Sequence, residues 1–250
     1  MKITSLPFYV YKSSMPNICQ VDPQIKTLKE NGRLWCGPVA ASNALFHLAK
    51  KHFQMLIPPM GKSSELEAQT KLVEQLVEYM QTNDSTGTET ADLLMGLEKY
   101  IRERGYKART SWEGWDMGKN CPIGKPPSIS NAMQGLIGTS NTILQIGWYK
   151  PTLTKVAYRR VGGHYVNATG FIRKELNNEF IIHDPSPRSK QVPKHCTPNQ
   201  ISDEIVCLLE KSKKTDASEY NELEGIDINK NKGASIAVLD GIGIFKVFRK

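Results

Sequence analysis

The sequence predicts an α+β fold in which a helical N-terminal half packs against a strand-rich C-terminal half. Two observations lead there. Apolar residues recur at three-and-four spacing up to about residue 105, and beyond about Ser140 the chain turns to runs of Ile, Val, Tyr and Phe separated by turn residues. A length of 250 residues is enough for one large domain with a substantial core. The expected organisation is one domain over 1–250, with a helical lobe over about 1–139, a sheet lobe over about 140–250 and a cleft between them.

Each element has its own signal. Pro7 to Tyr11 is apolar and β-prone and reads as a short strand, followed by a polar, irregular segment to about Leu34. The first helix runs from Gly37 to about Phe53, with Ala41, Ala44, Leu45, Leu48 and Ala49 on one face and Pro38 in its first turn. A second helix starts at Ser64, which forms a capping-box pattern with Glu67, and runs to about Gln81. A third spans about Glu89 to Arg104 and stops at Gly105. A strand around Tyr106 to Trp112, a Gly- and Pro-rich connector from Gly114 to Pro127 and a short helix near Ser130 to Ile137 complete the helical half. Strands are expected at Thr142 to Tyr149, Ala157 to Ile172, Glu179 to His183 and Ser235 to Val247, with a helix at about Asn199 to Lys211 and a surface loop from Ser212 to Lys232.

Composition narrows the function classes. Hydrophobic content of 39% and charged content of 23% are ordinary for a globular chain, and no stretch reaches the ~20 apolar residues of a membrane helix. The net charge of +8 is spread rather than clustered, so it favours acidic partners without indicating nucleic acid. The first residues, MKITSLPFYVYKSSMP, contain no apolar run of secretory length, so no secretory signal is expected. Five cysteines (19, 36, 121, 196 and 207) are too sparse for a disulfide framework and lack C-x-x-C pairs. His195-Cys196 and the scattered histidines lack metal-ligand spacing, so neither a metal nor a cofactor is expected.

Three residues stand out chemically. Cys36, in Leu-Trp-Cys-Gly-Pro, immediately precedes a helix, where the dipole and unpaired amides lower a thiol pKa. The alternative is a buried cysteine packing as a small apolar residue. His164, in Gly-Gly-His-Tyr-Val-Asn, begins a strand and shares a face with Val166 and Ala168. Asp184 ends the following strand in His-Asp-Pro, where antiparallel pairing through Arg173 to Asn178 would set it beside His164 as an orienting carboxylate. Otherwise it is a turn former. The competing His183 faces away from Asp184 by alternation. An oxyanion needs donors: the Cys36 backbone amide is one candidate, Gln20 a side-chain candidate and Gln24 a weaker one.

Four segments taken in order, Gln20-Val-Asp-Pro, Trp35-Cys36-Gly-Pro-Val-Ala-Ala, Gly163-His164-Tyr-Val and His183-Asp184-Pro, resemble papain-like cysteine peptidases of the bacteriocin-processing type, cysteine peptidase family 39. They look most like its stand-alone bacterial branch. The stretch from Gly87 to Tyr106 also looks like the helix that branch carries after its nucleophile. The resemblance covers roughly residues 18 to 187. It implies a papain-like fold with Cys36, His164 and Asp184 as a triad and Gln20 in the oxyanion hole. Trp35 departs from the pattern, and no transporter segment or Gly-Gly leader context accompanies it, so processing of bacteriocin leaders is not expected.

The function expected is therefore a cysteine peptidase acting on a peptide or protein substrate through a thioester. Deamidation of glutamine and transglutamination use the same triad and stay open, as does a non-catalytic peptide-binding module using Trp35, Trp112, Trp115 and Trp148.

Overall fold

The computed structural model describes residues 6–59, 64–115, 125–175, 177–186, 191–211 and 213–250. Cys121 and much of the expected connector between Gly114 and Pro127 lie outside them.

The helices form largely where the periodicity places them. After β1 (Tyr9–Tyr11) come α1 (Lys26–Asn31), α2 (Cys36–Lys51), α3 (Glu65–Tyr79) and α4 (Thr90–Glu103). The Ser64 and Glu67 side chains each bond the other's backbone N–H, completing the capping box of α3. Helix α1 falls inside the segment expected to be irregular. At six residues it buries only Leu28, too little for a periodic signal.

The strands are β2 (Lys107–Gly114), β3 (Ser140–Pro151), β4 (Ala157–Ile172), β5 (Glu179–His183), β6 (Lys194–Gln200), β7 (Cys207–Glu210), β8 (Lys213–Asp216), β9 (Asn221–Glu224) and β10 (Ile236–Phe248), with α5 (Ile129–Gln134) before β3. Six of them, in the order β3-β4-β5-β6-β9-β10, return to β3 as a closed antiparallel barrel. The other four attach to it: β1 and β7 on β4, β2 on β10 and β8 on β7.

This architecture overturns the α+β, papain-like two-lobe expectation. The protein is mostly β, a closed barrel with helices packed on it. Alternation along β3 and β4 explains the packing. Leu144, Ile146, Val166 and Ala168 point into the barrel with Phe171, Phe180 and Ile182, while Ile143 and Tyr165 point outward into a shared core with Ala41, Leu45, Leu72 and Leu97 of the helices. Strand β2, from the half read as helical, also joins the sheet through β10.

Two further expectations fail in the same region. Asn199 to Lys211 is not a helix, and Ser212 to Lys232 is not merely loop. Ile201, Ile205 and Leu208 imitate a helical stripe, but they reach one cluster with Tyr149 and Val238 from extended chain and turns. Strands β8 and β9 are four residues each and largely polar, below the length at which alternation declares itself. The segment after residue 187, which the family resemblance does not cover, supplies three of the six barrel strands.

Candidate active site

Helix α2 begins at Cys36, so the thiol lies among first-turn amides that have no intrahelical partner. Polar side chains buried beneath the helix fix its position. Asn167 of β4 donates to the Ala40 carbonyl at 2.8 Å, and its own oxygen accepts from Asn43 Nδ2 at 3.4 Å. Gln69 of α3 in turn donates to Asn43 Oδ1 at 2.7 Å. This ladder ties the helix that carries Cys36 to the strand that carries His164.

His164 pairs opposite Ile146 of β3, on the same face as Val166 and Ala168, at the end of the barrel interior. Asp184 follows β5 on the same side, and its Oδ1 lies 2.7 Å from His164 Nε2. Cys36 lies close enough to the same imidazole that each shifts the other's pKa. Cys36, His164 and Asp184 therefore form one group. Trp148 stacks on the imidazole, with ring centroids 5.8 Å apart and planes 15° apart. Its strand partner is Gly162, where a Cβ would sit 3.1 Å from the indole. That contact explains part of the Gly-Gly preceding His164.

Electrostatics favour a charged pair. Burial opposes ionisation of Cys36, but the His164 hydrogen bond and charge, with the Tyr165 and Gly37 backbone N–H groups, outweigh it and lower the thiol pKa. Burial likewise opposes the imidazolium, yet the bonds to Asp184 and Cys36 raise His164 to about 10. Asp184 is held below its ordinary range: burial works against this, and His164, the Ser186 backbone N–H and Lys194 overcome it. Lys194 Nζ lies 3.8 Å from Asp184 Oδ2 and 2.5 Å from Asp227.

Gln20 reaches the same place, but its amide is engaged. Nε2 donates to the carbonyls of Gly32 at 3.0 Å and Arg33 at 2.7 Å, and Oε1 is buried with no partner among the described residues. The Gln20 backbone N–H donates to Pro185 at 2.8 Å, joining this loop to the chain just after Asp184. Gln24 is exposed and does not line the cleft, and its backbone N–H bonds Asp22 Oδ1 at 2.9 Å. His183 is buried with Nδ1 3.0 Å from the Pro16 carbonyl, apart from Asp184. Trp35, Trp112 and Trp115 are core residues, and among the four tryptophans only Trp148 lines the cleft.

Cys36 and His164 open onto a cavity of about 850 Å³, walled by Leu34, Thr88, Gln145, Trp148 and Tyr165 among others. Its polar wall includes Arg160, whose Nε lies 2.6 Å from fully buried Asp240 and whose NH1 lies 3.2 Å from Glu210. Tyr149 also donates to Asp240, at 2.8 Å. Asp240 is the unpaired residue at a register shift in β10, and its carboxylate packs against Gly147, where any Cβ would fall 2.2 Å from it. Burial pushes Asp240 up, and the Arg160 charge opposes that.

Sequence reasoning missed the Asn167, Asn43 and Gln69 ladder and Lys194. Alternation places Asn167 off the His164 face, so its role emerges only once the helix is docked there. Among the described residues, no helix is long and apolar enough to cross a membrane. A comparison of the chain with protein-family models finds no match, and a comparison with curated proteins finds none either.

Proposed function

We propose that the protein is a cysteine-dependent acyl-transfer enzyme that hydrolyses peptide or isopeptide bonds. The observation that carries this reading is the grouping of Cys36, His164 and Asp184, with the imidazole bonded to Asp184 at 2.7 Å, the thiol and the imidazole shifting each other's pKa, and the thiol at a helix N-terminus and open to a cavity. The resemblance of the Gln20, Cys36, His164 and Asp184 segments to bacteriocin-processing cysteine peptidases supports it as well.

In this mechanism the Cys36 thiolate attacks the carbonyl carbon, and the carbonyl electron pair moves onto oxygen. That oxyanion is stabilised by amides at the start of α2, including that of Cys36. Gln20 would contribute only by releasing the Gly32 and Arg33 carbonyls. On collapse the C–N bond breaks and His164 gives its proton to the departing amine, leaving a thioester on Cys36. Neutral His164 then takes a proton from water as it attacks the thioester. The carboxylic acid leaves and the thiolate–imidazolium pair returns. Asp184 holds the ring through Nε2 and stabilises its charged form, which keeps the imidazole beside Cys36. Trp148 covers one face of the ring.

The test is mass spectrometry of peptide mixtures incubated with the protein and with Cys36→Ala. Shortened products that require Cys36 are expected. A gain of about one dalton without chain shortening assigns deamidation instead. No Cys36-dependent product, together with a thiol that alkylates no faster than the other cysteines, sinks the reading.

A further inference from the structure

The chain after the triad strands builds one rim of the cleft. Glu210, Lys211 and Lys213 come from β7, β8 and the turn between them, and Lys232 comes from the connection between β9 and β10. Arg33, from the turn just before Cys36, lines the cavity too. Arg33, Lys211 and Lys232 are exposed, and none forms an ion pair with a described residue. Arg160 differs, since Asp240 and Glu210 already neutralise it. With the Glu210 carboxylate committed to Arg160, Glu89 is the other acidic lining residue. Three separate segments thus bring uncompensated positive charge to one cavity whose walls include Leu34, Trp148 and Tyr165. Apolar walls of low dielectric concentrate such a field, and an anionic ligand relieves the mutual repulsion of the cations.

We propose that the cleft selects an acidic acyl donor, a peptide segment carrying Asp or Glu side chains next to the attacked carbonyl, with Arg33, Lys211 and Lys232 as its carboxylate-binding groups. The proposal rests on Cys36 being the acyl-accepting nucleophile, and it adds the substrate class. Lys211 and Lys232 recognise without taking part in bond making. Their effect therefore belongs to KM and to the rate of encounter rather than to the chemical step.

The experiment compares alkylation of Cys36 by anionic iodoacetate and by neutral iodoacetamide, at low ionic strength, in the wild type and in the double variant Lys211→Glu, Lys232→Glu. The iodoacetate to iodoacetamide rate ratio is expected to fall by about threefold or more in the variant while the iodoacetamide rate holds, the size expected of screened charges several ångströms away. In a peptide library the wild type should favour acidic residues beside the cleaved bond, and the variant should lose that preference through KM. A fall in both alkylation rates means the variant has disturbed the site. The milder pair Lys211→Gln, Lys232→Gln then decides, with a lowered ratio supporting the proposal and an unchanged one overturning it. If Cys36 reacts with both reagents and the ratio never moves, the acidic-substrate proposal falls while the thiol enzyme stands. A Cys36 inert to both reagents in the wild type overturns the nucleophile reading and this one with it.

Discussion

Asn167 donates to the main-chain carbonyl of Ala40 at 2.8 Å, and that bond helps join the strand of His164 to the helix of Cys36. Both residues are fully buried. Asn167→Leu removes the link and strands the Asn43 amide, which predicts a loss of about 1–3 kcal/mol in stability. It also predicts a loss of roughly 10–100-fold in Cys36-dependent turnover, because the sulfur to imidazole geometry is no longer fixed. Urea denaturation and single-turnover rates measure the two separately. A folded variant with the wild-type rate would remove the positioning role.

The pKa directions set a pH profile. The proposed mechanism needs Cys36 ionised and His164 protonated. The acid limb should therefore lie below the ordinary thiol value of 9.0, and the alkaline limb should fall as His164 deprotonates at about 10. Asp184→Asn withdraws a group that raises His164 and should move the alkaline limb to lower pH, with a loss of about 10²-fold or more at pH 7. An alkaline limb unmoved in that variant, followed by initial rates from pH 5 to 11, would contradict the role given to Asp184.

Gly32 owes its identity to contact rather than to conformation. Its φ of −71° suits any residue, but a Cβ there would lie 1.5 Å from the Gln20 carbonyl oxygen. Gly32→Ala should force the Gln20 loop away from the site and cost about 1–3 kcal/mol, the usual size of an overpacking penalty. Thermal unfolding checks it, and a melting temperature within a degree of the wild type would refute the contact.

Lys12 is a buried cation whose Nζ donates to the Ser140 carbonyl and, at 2.9 Å, to Asn141 Oδ1. Burial lowers its pKa from 10.5 to about 8. A lysine that binds its proton more weakly when folded penalises the native state below the folded value, and the penalty lifts as pH climbs from about 8 to 10.5. The wild type should gain up to roughly 3 kcal/mol relative to Lys12→Met across that window. Urea denaturation of both proteins at pH 7 and pH 10.5 tests this, and a constant difference would count against it.

The longer helices and strands were legible in the sequence because each carries its own pattern. The capping box at Ser64, the stop at Gly105 and the alternation through His164, Val166 and Ala168 are local signals. Barrel closure is not local. It depends on β3 pairing with β10 and β6 with β9, and the short polar strands after residue 190 hold too few alternations to show themselves. The candidate site was legible in part for the same reason. Cys36 begins α2 and Asp184 directly follows β5, while His164, expected at the start of a strand, lies midway along β4 with its alternation intact; the polar ladder beneath α2 and the Gln20 amide answer to partners far along the chain. Arg33, Lys211 and Lys232 carried no signal, since nothing in a sequence says which lysines meet across a cavity.

The closed barrel also orders events in time. Strand β10 seals it against β3 and runs to Phe248, far downstream of Cys36, His164 and Asp184. A ribosome will have released all three residues well before the strand that completes their scaffold has emerged, and pairings of such long range form slowly. The nascent chain therefore carries Cys36 in an open barrel until β10 has emerged, so the proposed activity must wait for that strand.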